Sequence, residues 1–316
     1  MCGIVAYIGK AQAKPILLGG LARLEYRGYD SAGLAVMQNQ DGIKSLEAAS
    51  PSAEPEPSTE GGPGPAKRRR SSAGSGHRIS VVKSAGKVTN LQSACSVENS
   101  GGTLGIAHTR WATHGPPNDI NAHPHTSMDG TLAVVHNGIV ENFAALRAEL
   151  VRKGYVITSD TDTELIAHLI ADVRKHQWMP LEEAVRQALT QVHGAFGIAV
   201  LSSEEPDLLI GARKGSPLIL GVGSDEFILA SDAAAVVERT KQVTYLEDGE
   251  MCIISRGGHD GALCYQIKTL DNVQKTREVQ QLEMSLQEIQ KGSHKHFMLK
   301  EILEQPDVLE NCMRGR

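Results

Sequence analysis

The sequence has few aromatic residues, and none of its apolar runs is long. Aromatic residues make up only 4% of the 316 residues, which argues against the base-stacking surfaces typical of proteins that bind nucleic acids. The longest apolar runs, 3–9 and 218–223, are far shorter than the roughly 20 residues that a helix needs to cross a bilayer. The net charge of −5 is too mild to favour a nucleic acid or a membrane surface. We therefore expect neither kind of partner.

Paired cysteines and a secretion signal are missing as well. An odd, scattered set of cysteines suits a reducing compartment better than a disulfide-stabilised scaffold. The N-terminus has no basic region followed by a long apolar stretch, so no signal peptide is expected. Together these absences predict a cytoplasmic protein. The five cysteines are Cys2, Cys95, Cys252, Cys264 and Cys312, and no two of them form a C-x-x-C pattern.

The chain alternates between short apolar strands and amphipathic helices, which predicts an α+β fold with several antiparallel strands. Helices are expected over 14–26, 141–153 and 180–194. A further helix is expected from Thr161, because Thr161 and Glu164 have the spacing of a capping box. Strands are expected over 3–8, 31–37, 131–135, 195–201, 207–212, 217–222, 226–230, 243–247, 250–255 and 262–268.

Two segments depart from this pattern. Residues 41–80 are rich in Pro, Gly and Ser and contain a basic run at 67–70, so we expect a disordered insertion. The basic run is interpreted as a solvated loop, with a kinase site at Ser71 or Ser72, or a targeting signal, as alternatives. Residues 274–316 show only a weak helical stripe of Leu282, Leu286 and Ile289. We therefore predict one domain over 2–273 followed by a helical connector.

Cys2 follows the initiator methionine and precedes a glycine. Removal of Met1 would give one residue both a thiol and a free α-amine, whose reference pKa of about 7.7–8.0 allows it to accept the thiol proton. An N-terminal amine of this kind is a recognised activator of an adjacent nucleophile. Taken alone, the alternative is an incidental cysteine at the second position.

Asn137 and Gly138 follow a predicted buried strand. An amide side chain beside an unhindered backbone N–H can bind the oxyanion that forms when a thiolate attacks an amide. On the pattern alone, an ordinary Asn-Gly turn is the commoner interpretation.

The segment 108–115 contains Arg110, which can bind a carboxylate through two parallel hydrogen bonds. Thr113 can add a further hydrogen bond. A surface arginine beside a packed Trp111 is the alternative. Asp162 stands at a predicted helix start, where it either complements the helix dipole or holds the ammonium group of a substrate.

Histidines are dense in this part of the chain, but no metal-binding motif accompanies them. The sequence has neither H-E-x-x-H nor paired C-x-x-C spacing. We therefore expect polar roles in organising loops rather than a metal site, and no cofactor. The histidines concerned are His108, His114, His123, His125 and His136.

Taken jointly, these segments resemble the glutamine–fructose-6-phosphate amidotransferases. The resemblance covers nearly the whole chain except 41–80, and several long motifs in a fixed order are specific. The matching segments are 1–5, 24–33, 105–115, 121–125, 135–138, 161–164, 215–218, 230–232, 246–248, 297–302 and 304–306.

The resemblance implies an N-terminal nucleophile hydrolase fold, a four-layer αββα sandwich of two antiparallel sheets. It implies that Cys2 attacks the side-chain amide of glutamine, with Asn137 and the Gly138 N–H as the oxyanion hole. Ammonia then leaves, and water releases glutamate. Arg110 is assigned the α-carboxylate of glutamine and Asp162 the α-amine, and Arg27 is assigned the organisation of the nucleophile. The substrate-binding residues that the resemblance implies are Arg27, Arg110, Trp111, Thr113, His114 and Asp162.

In that family the ammonia passes to a second domain of sugar-isomerase type. The resemblance reaches only the glutaminase half and the connector, so fructose 6-phosphate and a homo-oligomer are expected only through that further domain. Two alternatives stay open. One is a sister amidotransferase, since others of this class also begin Met-Cys-Gly, although the segments 24–30 and 108–115 favour the synthases. The other is a non-catalytic fragment that binds partners, against which the complete set of catalytic positions speaks.

Overall fold

The computed structural model describes residues 2–39, 76–97, 101–113, 115–177, 179–257, 261–283, 294 and 296–314. The predicted α+β fold is confirmed, since its strands form two antiparallel sheets between helices. The helices are α1 (Ala13–Leu24), α2 (Val88–Val97), α3 (Phe143–Arg152), α4 (Asp162–Gln177), α5 (Leu181–Thr190) and α6 (Phe297–Arg314). The strands are β1 (Gly3–Gly9), β2 (Ser31–Asn39), β3 (His77–Ala85), β4 (Leu104–Arg110), β5 (His125–Thr126), β6 (Leu132–Val140), β7 (Gly194–Ser202), β8 (Glu205–Lys214), β9 (Ile219–Val222), β10 (Glu226–Ala230), β11 (Gln242–Tyr245), β12 (Glu250–Arg256), β13 (Leu263–Thr269), β14 (Gln274–Lys275) and β15 (Gln280–Gln281).

Strand β1 lies inside the first sheet and β6 lies near one edge of the second. Within the described residues the first sheet has the order β15-β11-β9-β10-β1-β4-β2-β3. The second has the order β14-β13-β12-β8-β7-β6-β5. Because β1 has a partner on each side, the residue that precedes it is held at a defined point of the sheet.

The four layers follow from strands that are apolar on both faces. In β1, Val5 and Tyr7 pack toward the helical layer of α1, whereas Ile4, Ala6 and Ile8 pack between the two sheets. Successive side chains of a strand point to opposite faces, so a continuous apolar run serves both layers. Strand β6 does the same toward α4 and α5 on its other side. The predicted αββα sandwich is therefore confirmed.

Strand β6 extends further than the sequence predicted. The predicted strand ended at Val135, with an Asn-Gly turn as the commoner interpretation of the residues after it, but β6 continues to Val140 in register with β7. The glycine makes this possible. Gly138 has a φ of +136°, and a Cβ at this position would lie 2.0 Å from the carbonyl oxygen of Ala195. Asn137 thus projects from a strand rather than from a turn.

The predicted limits of the insertion and of the domain also need correction. Strand β3 begins at His77, so residues 77–80 are not part of a disordered insertion. The rest of that insertion, 41–75, lies outside the described residues. Strands β14 and β15 pair with β13 and β11, so the boundary expected at residue 273 is too early. Leu282 is buried in the core rather than on a helical stripe, whereas Leu286 and Ile289 lie outside the described residues.

None of the described helices is both long enough and apolar enough to cross a membrane. Helix α6 carries several exposed apolar side chains beside polar ones. It lies in the predicted connector region.

Helix α1 packs closely on β1 at Gly20. A Cβ on Gly20 would lie 2.9 Å from Val5 Cγ1, whereas a Cβ on the neighbouring Gly19 would meet nothing closer than 3.8 Å. We expect Gly20→Ala to lower the free energy of unfolding by about 1–3 kcal/mol through overpacking. Gly19→Ala, the matched control, should raise it by roughly 0.5–1 kcal/mol because alanine favours the helix. Urea unfolding followed by circular dichroism measures both, and equal effects would contradict this packing.

Candidate active site

The predicted site residues line one cavity of about 370 Å³ at one end of the space between the two sheets. Eight of the nine lie on its wall, and the ninth, His114, lies outside the described residues. Six further residues also line the cavity, and sequence reasoning gave none of them a catalytic or substrate-binding role: His123, His136, Ile139, Thr161, Ser216 and Pro217. The lining residues predicted from the sequence are Cys2, Arg27, Arg110, Trp111, Thr113, Asn137, Gly138 and Asp162.

Strand pairing places Cys2 at the cavity. Gly3 pairs with Thr109 across β1 and β4, so Cys2 lies where β4 ends and Trp111 follows. The Trp111 backbone N–H donates to Cys2 Sγ at 3.2 Å. The thiol in turn is 3.6 Å from the Trp111 carbonyl oxygen. The sulfur therefore sits against backbone that the sheet holds in place.

Burial makes the Cys2 thiol a poor acid in this setting. Removal from water raises its pKa, although the N–H of Trp111 and the charge of Arg110 act in the opposite direction. A raised pKa leaves the sulfur protonated near neutral pH, and the thiol is a much weaker nucleophile than the thiolate. An attack by this sulfur therefore needs a nearby base.

The carbonyl oxygen of Cys2 is held from two sides. Arg27 Nε donates to it at 3.2 Å, and Asn137 Nδ2 donates to it at 3.1 Å. Arg27 is itself fixed by an ion pair of 2.7 Å with Asp232. Sequence analysis gave Asp232 no role, although it lies within the motif 230–232. The backbone of the cysteine is thus anchored while its side chain faces the cavity.

Asn137 reaches the cavity because alternation along β6 turns it inward. Ala133 and Val135 pack between the sheets, and Asn137 continues that face of the strand. Its Oδ1 is 2.9 Å from His108 Nε2. An amide nitrogen carries two N–H groups, so one can hold Cys2 while the other serves a ligand. Gly138 follows directly and is exposed at the cavity.

Arg110 supplies positive charge at the cavity wall. It is the last residue of β4 and shares the inner face with Leu104 and Ile106. Its guanidinium lies 3.4 Å from the carbonyl oxygen of Pro116 and 3.5 Å from that of Gly115. Burial lowers its pKa, and nearby Cys2 and carboxylates oppose that shift. The fork of a guanidinium suits a carboxylate ligand.

Asp162 supplies negative charge on the other side. It begins α4, and its Oδ2 accepts a hydrogen bond of 2.9 Å from the Val140 N–H at the end of β6. The carboxylate therefore ties the helix to the strand while it lines the cavity. The expected capping box takes another form, because Glu164 accepts from the N–H groups of Thr158 and Ser159.

Four of the clustered histidines are buried, and His123 and His136 line the cavity whereas His108 and His125 do not. His108 and His123 stack with ring centroids 4.1 Å apart, and His136 and His123 both bond to Thr163 Oγ1. His125 Nε2 is 2.9 Å from Thr161 Oγ1. Burial lowers the pKa of His108 and of His125 to about 3, so both rings are neutral at pH 7. His108 and His125 therefore act as hydrogen-bonding groups without charge.

Comparison with known proteins finds similar amidotransferases and aminotransferases. The family described as "Glutamine amidotransferase domain" matches residues 108–238. Proteins named glutamine–fructose-6-phosphate aminotransferase [isomerizing] match all of this chain, with 47% identity in Chlorobaculum tepidum and 46% in Bacteroides thetaiotaomicron. The chain covers 45% of each of these proteins, so it spans about half the length of the curated relatives it matches.

Two solved structures share the fold at 23% sequence identity. One is titled glutamine phosphoribosylpyrophosphate amidotransferase from B. subtilis complexed with ADP and GMP, with a TM-score of 0.61. The other is titled structure of the allosteric regulatory enzyme of purine biosynthesis, with a TM-score of 0.62. Each alignment covers 85% of this chain and 49% of the solved chain. At this identity the likeness establishes the fold.

The buried histidines predict a loss of stability in acid. In the unfolded chain a histidine binds a proton below a pKa of about 6.5, whereas folded His108 and His125 do so only near 3. Between these values the unfolded state binds more protons, so the free energy of unfolding falls as the pH falls. We expect His125→Gln to make this fall shallower, because the amide cannot be protonated and can still bond to Thr161. Urea unfolding from about pH 8 to about pH 4 measures the slope, and an unchanged slope would refute this assignment.

Proposed function

The chain belongs to the family of the glutamine–fructose-6-phosphate aminotransferases, and we propose that it hydrolyses glutamine with Cys2 as the nucleophile. The observation that carries this proposal is the convergence of a thiol, a cation, a carboxylate and an amide donor on one cavity. These groups belong to Cys2, Arg110, Asp162 and Asn137. They are complementary to the reacting amide and to the two charged ends of an amino acid.

The nucleophile is activated by its own backbone. Removal of Met1 frees the α-amine of Cys2, whose pKa near 8 lets it accept the thiol proton at working pH. The raised pKa of the thiol is the reason that such a base is needed. Its proximity to the sulfur is guaranteed because both groups belong to one residue.

The reaction proceeds in two stages. The sulfur attacks the side-chain carbonyl carbon of glutamine, and the tetrahedral oxyanion accepts hydrogen bonds from Asn137 Nδ2 and the Gly138 N–H. The C–N bond breaks, the proton held by the amine passes to the departing nitrogen, and ammonia leaves behind a thioester. Water, deprotonated by the same amine, then attacks the thioester and releases glutamate and the thiol.

Binding of the amino-acid end follows from charge. Arg110 receives the α-carboxylate, with Trp111, Thr113 and His114 beside it, and Asp162 receives the α-ammonium group. Arg27 contributes by holding the Cys2 carbonyl rather than by contact with the substrate. The resulting arrangement selects α-amino acids over simple amides, because an amide without both charged groups gives Arg110 and Asp162 nothing to bind.

Use of the ammonia requires more than this part of the chain provides. The curated relatives are named for fructose 6-phosphate and are about twice as long as this chain. We therefore propose that amination of the sugar, and any homo-oligomer, depends on a further isomerase domain, with residues from 283 onward as the connector. The free thiol at Cys2 suits a reducing compartment such as the cytoplasm.

A diazo-ketone analogue of glutamine tests the nucleophile. We expect it to alkylate Cys2 at the sulfur in protein that has lost Met1, and to abolish glutamate release. Cys2→Ala should remove both labelling and activity, whereas Cys264→Ala, which removes an exposed cysteine, should change neither. Peptide mass spectrometry and a glutamate assay measure these outcomes. Labelling confined to another cysteine, or normal turnover by protein that retains Met1, would reject the mechanism.

A product assay tests the division of labour. With glutamine and fructose 6-phosphate present, we expect these 316 residues to release glutamate and ammonia but no glucosamine 6-phosphate. The reason is that the cavity holds the groups proposed for amide hydrolysis, whereas amination of the sugar is assigned to the further domain. Formation of the amino sugar by the purified chain, detected by mass spectrometry, would overturn the proposed dependence on a further domain.

A further inference from the structure

His108 lies against the amide of Asn137 but outside the wall of the cavity. The ring is fully buried, and its Nε2 is 2.9 Å from Asn137 Oδ1. The two residues belong to different sheets, since His108 is on β4 and Asn137 is on β6. His108 can therefore act on a ligand in the cavity only through the residues that it contacts, and its Nε2 is hydrogen-bonded to Asn137.

The direction of the Asn137 amide follows from its other partner. The group that faces the carbonyl oxygen of Cys2, 3.1 Å away, has to be a donor, because a carbonyl oxygen only accepts. The amide nitrogen therefore faces Cys2, and Oδ1 faces His108. Oδ1 is itself only an acceptor, so the ring nitrogen opposite it has to carry a proton.

The ring can satisfy this requirement in only one form. His108 is neutral, since burial lowers its pKa to about 3, so it carries a single N–H. A proton on Nδ1 would leave Nε2 with only a lone pair facing the lone pairs of Asn137 Oδ1, and the hydrogen bond between them would be lost. The proton accordingly belongs on Nε2.

The ring is also held in its plane. It stacks on His123 at an interplanar angle of 22°. His123 Nδ1 lies 3.4 Å from the His136 N–H, and its Nε2 lies 3.2 Å from Thr163 Oγ1. The neighbouring ring is therefore bonded at both of its nitrogens, which leaves the stacked pair little freedom to turn.

We propose that His108 is the positioning residue of the oxyanion hole. Its Nε2–H fixes Asn137 Oδ1, so that Nδ2 faces Cys2 and the developing oxyanion. The opposite tautomer would set two lone pairs against each other and favour a flipped amide, which would present Oδ1 to the negative charge instead of a donor. This inference rests on the proposed glutaminase function.

Two substitutions of His108 separate positioning from packing. Leu fills the space without a donor, whereas the Nε2 of Gln can take the place of the histidine Nε2–H. We expect His108→Leu to lower kcat for glutamine by about 10²-fold, the effect of losing one oxyanion donor, with KM little changed. His108→Gln should recover most of that loss. If packing alone mattered, the apolar Leu would be the better replacement, so equal kcat values in the two variants would overturn the inference.

An aldehyde analogue provides a second readout. The Cys2 sulfur attacks the aldehyde carbon of glutamate γ-semialdehyde and forms a C–S bond. The thiol proton passes to the α-amine of Cys2 or to the new oxygen. The tetrahedral adduct places an oxygen where the oxyanion forms. We expect His108→Leu to weaken inhibition by the aldehyde by about 10²-fold and to leave inhibition by the product glutamate little changed. Equal weakening of both inhibitors would indicate a general structural defect and overturn the inference.

A double-mutant cycle tests whether His108 acts through Asn137. In the Asn137→Ala background, His108→Leu should cause little further loss of kcat, because the group that it positions is gone. Additive losses would overturn the inference. Thermal unfolding of each variant shows whether the comparison is between folded proteins.

The tautomer can be measured in the unsubstituted chain, which decides the matter if His108→Leu does not fold. Nitrogen-15 NMR of histidine-labelled protein, with the His108 signals assigned by their loss in His108→Gln, should show a neutral ring protonated at Nε2. A proton on Nδ1 would overturn the inference. If the unsubstituted chain hydrolyses glutamine but His108→Leu and His108→Gln have equal kcat values, the inference is wrong and the proposed function stands. If the unsubstituted chain neither hydrolyses glutamine nor forms the aldehyde adduct, both the inference and the proposed function are wrong.

Discussion

The antiparallel register of β1 and β4 is the constraint on which the whole site depends. Gly3 lies opposite Thr109, so Cys2 and Trp111 meet just beyond the paired residues. β1 is also paired with β10 on its other side, and Ser231 bonds to Ile4 through both its N–H and its hydroxyl. A shift by one residue would turn every side chain of β1 to the opposite face. The apolar packing on both faces of β1 therefore fixes where the sulfur lies.

The same two-layer packing explains the electrostatics of the site. Toward this end of the sandwich, polar residues take positions that apolar residues occupy elsewhere on the inner faces. His108 and Arg110 follow Leu104 and Ile106 along β4, and Asn137 follows Val135 along β6. Removal from water raises the pKa of Cys2 and keeps His108 and His125 neutral. One physical cause thus gives a protonated nucleophile and an uncharged supporting network.

Several elements of the fold could be predicted because their signals are local. The predicted strand over 226–230 coincides with β10, and the amphipathic pattern placed α1 and α3 within two residues of their observed limits. Strand β6 was predicted too short because Asn-Gly is typical of turns. Only the pairing with β7 and the open φ of Gly138 keep the dipeptide in a strand. Local propensity is overridden there by tertiary contacts.

The sequence by itself determined which chemical groups are present, and its motifs singled out Cys2, Asn137 and Asp162 as candidates. Alternation along a strand, which is a local property, also puts Asn137 on the same face of β6 as Ala133 and Val135. Tertiary structure alone decided that His108 meets Asn137, that Asp232 holds Arg27, and that Asp162 bonds to the end of β6. The reason is that these contacts join residues from different strands and helices, and their distances are set by how the layers pack rather than by spacing along the chain.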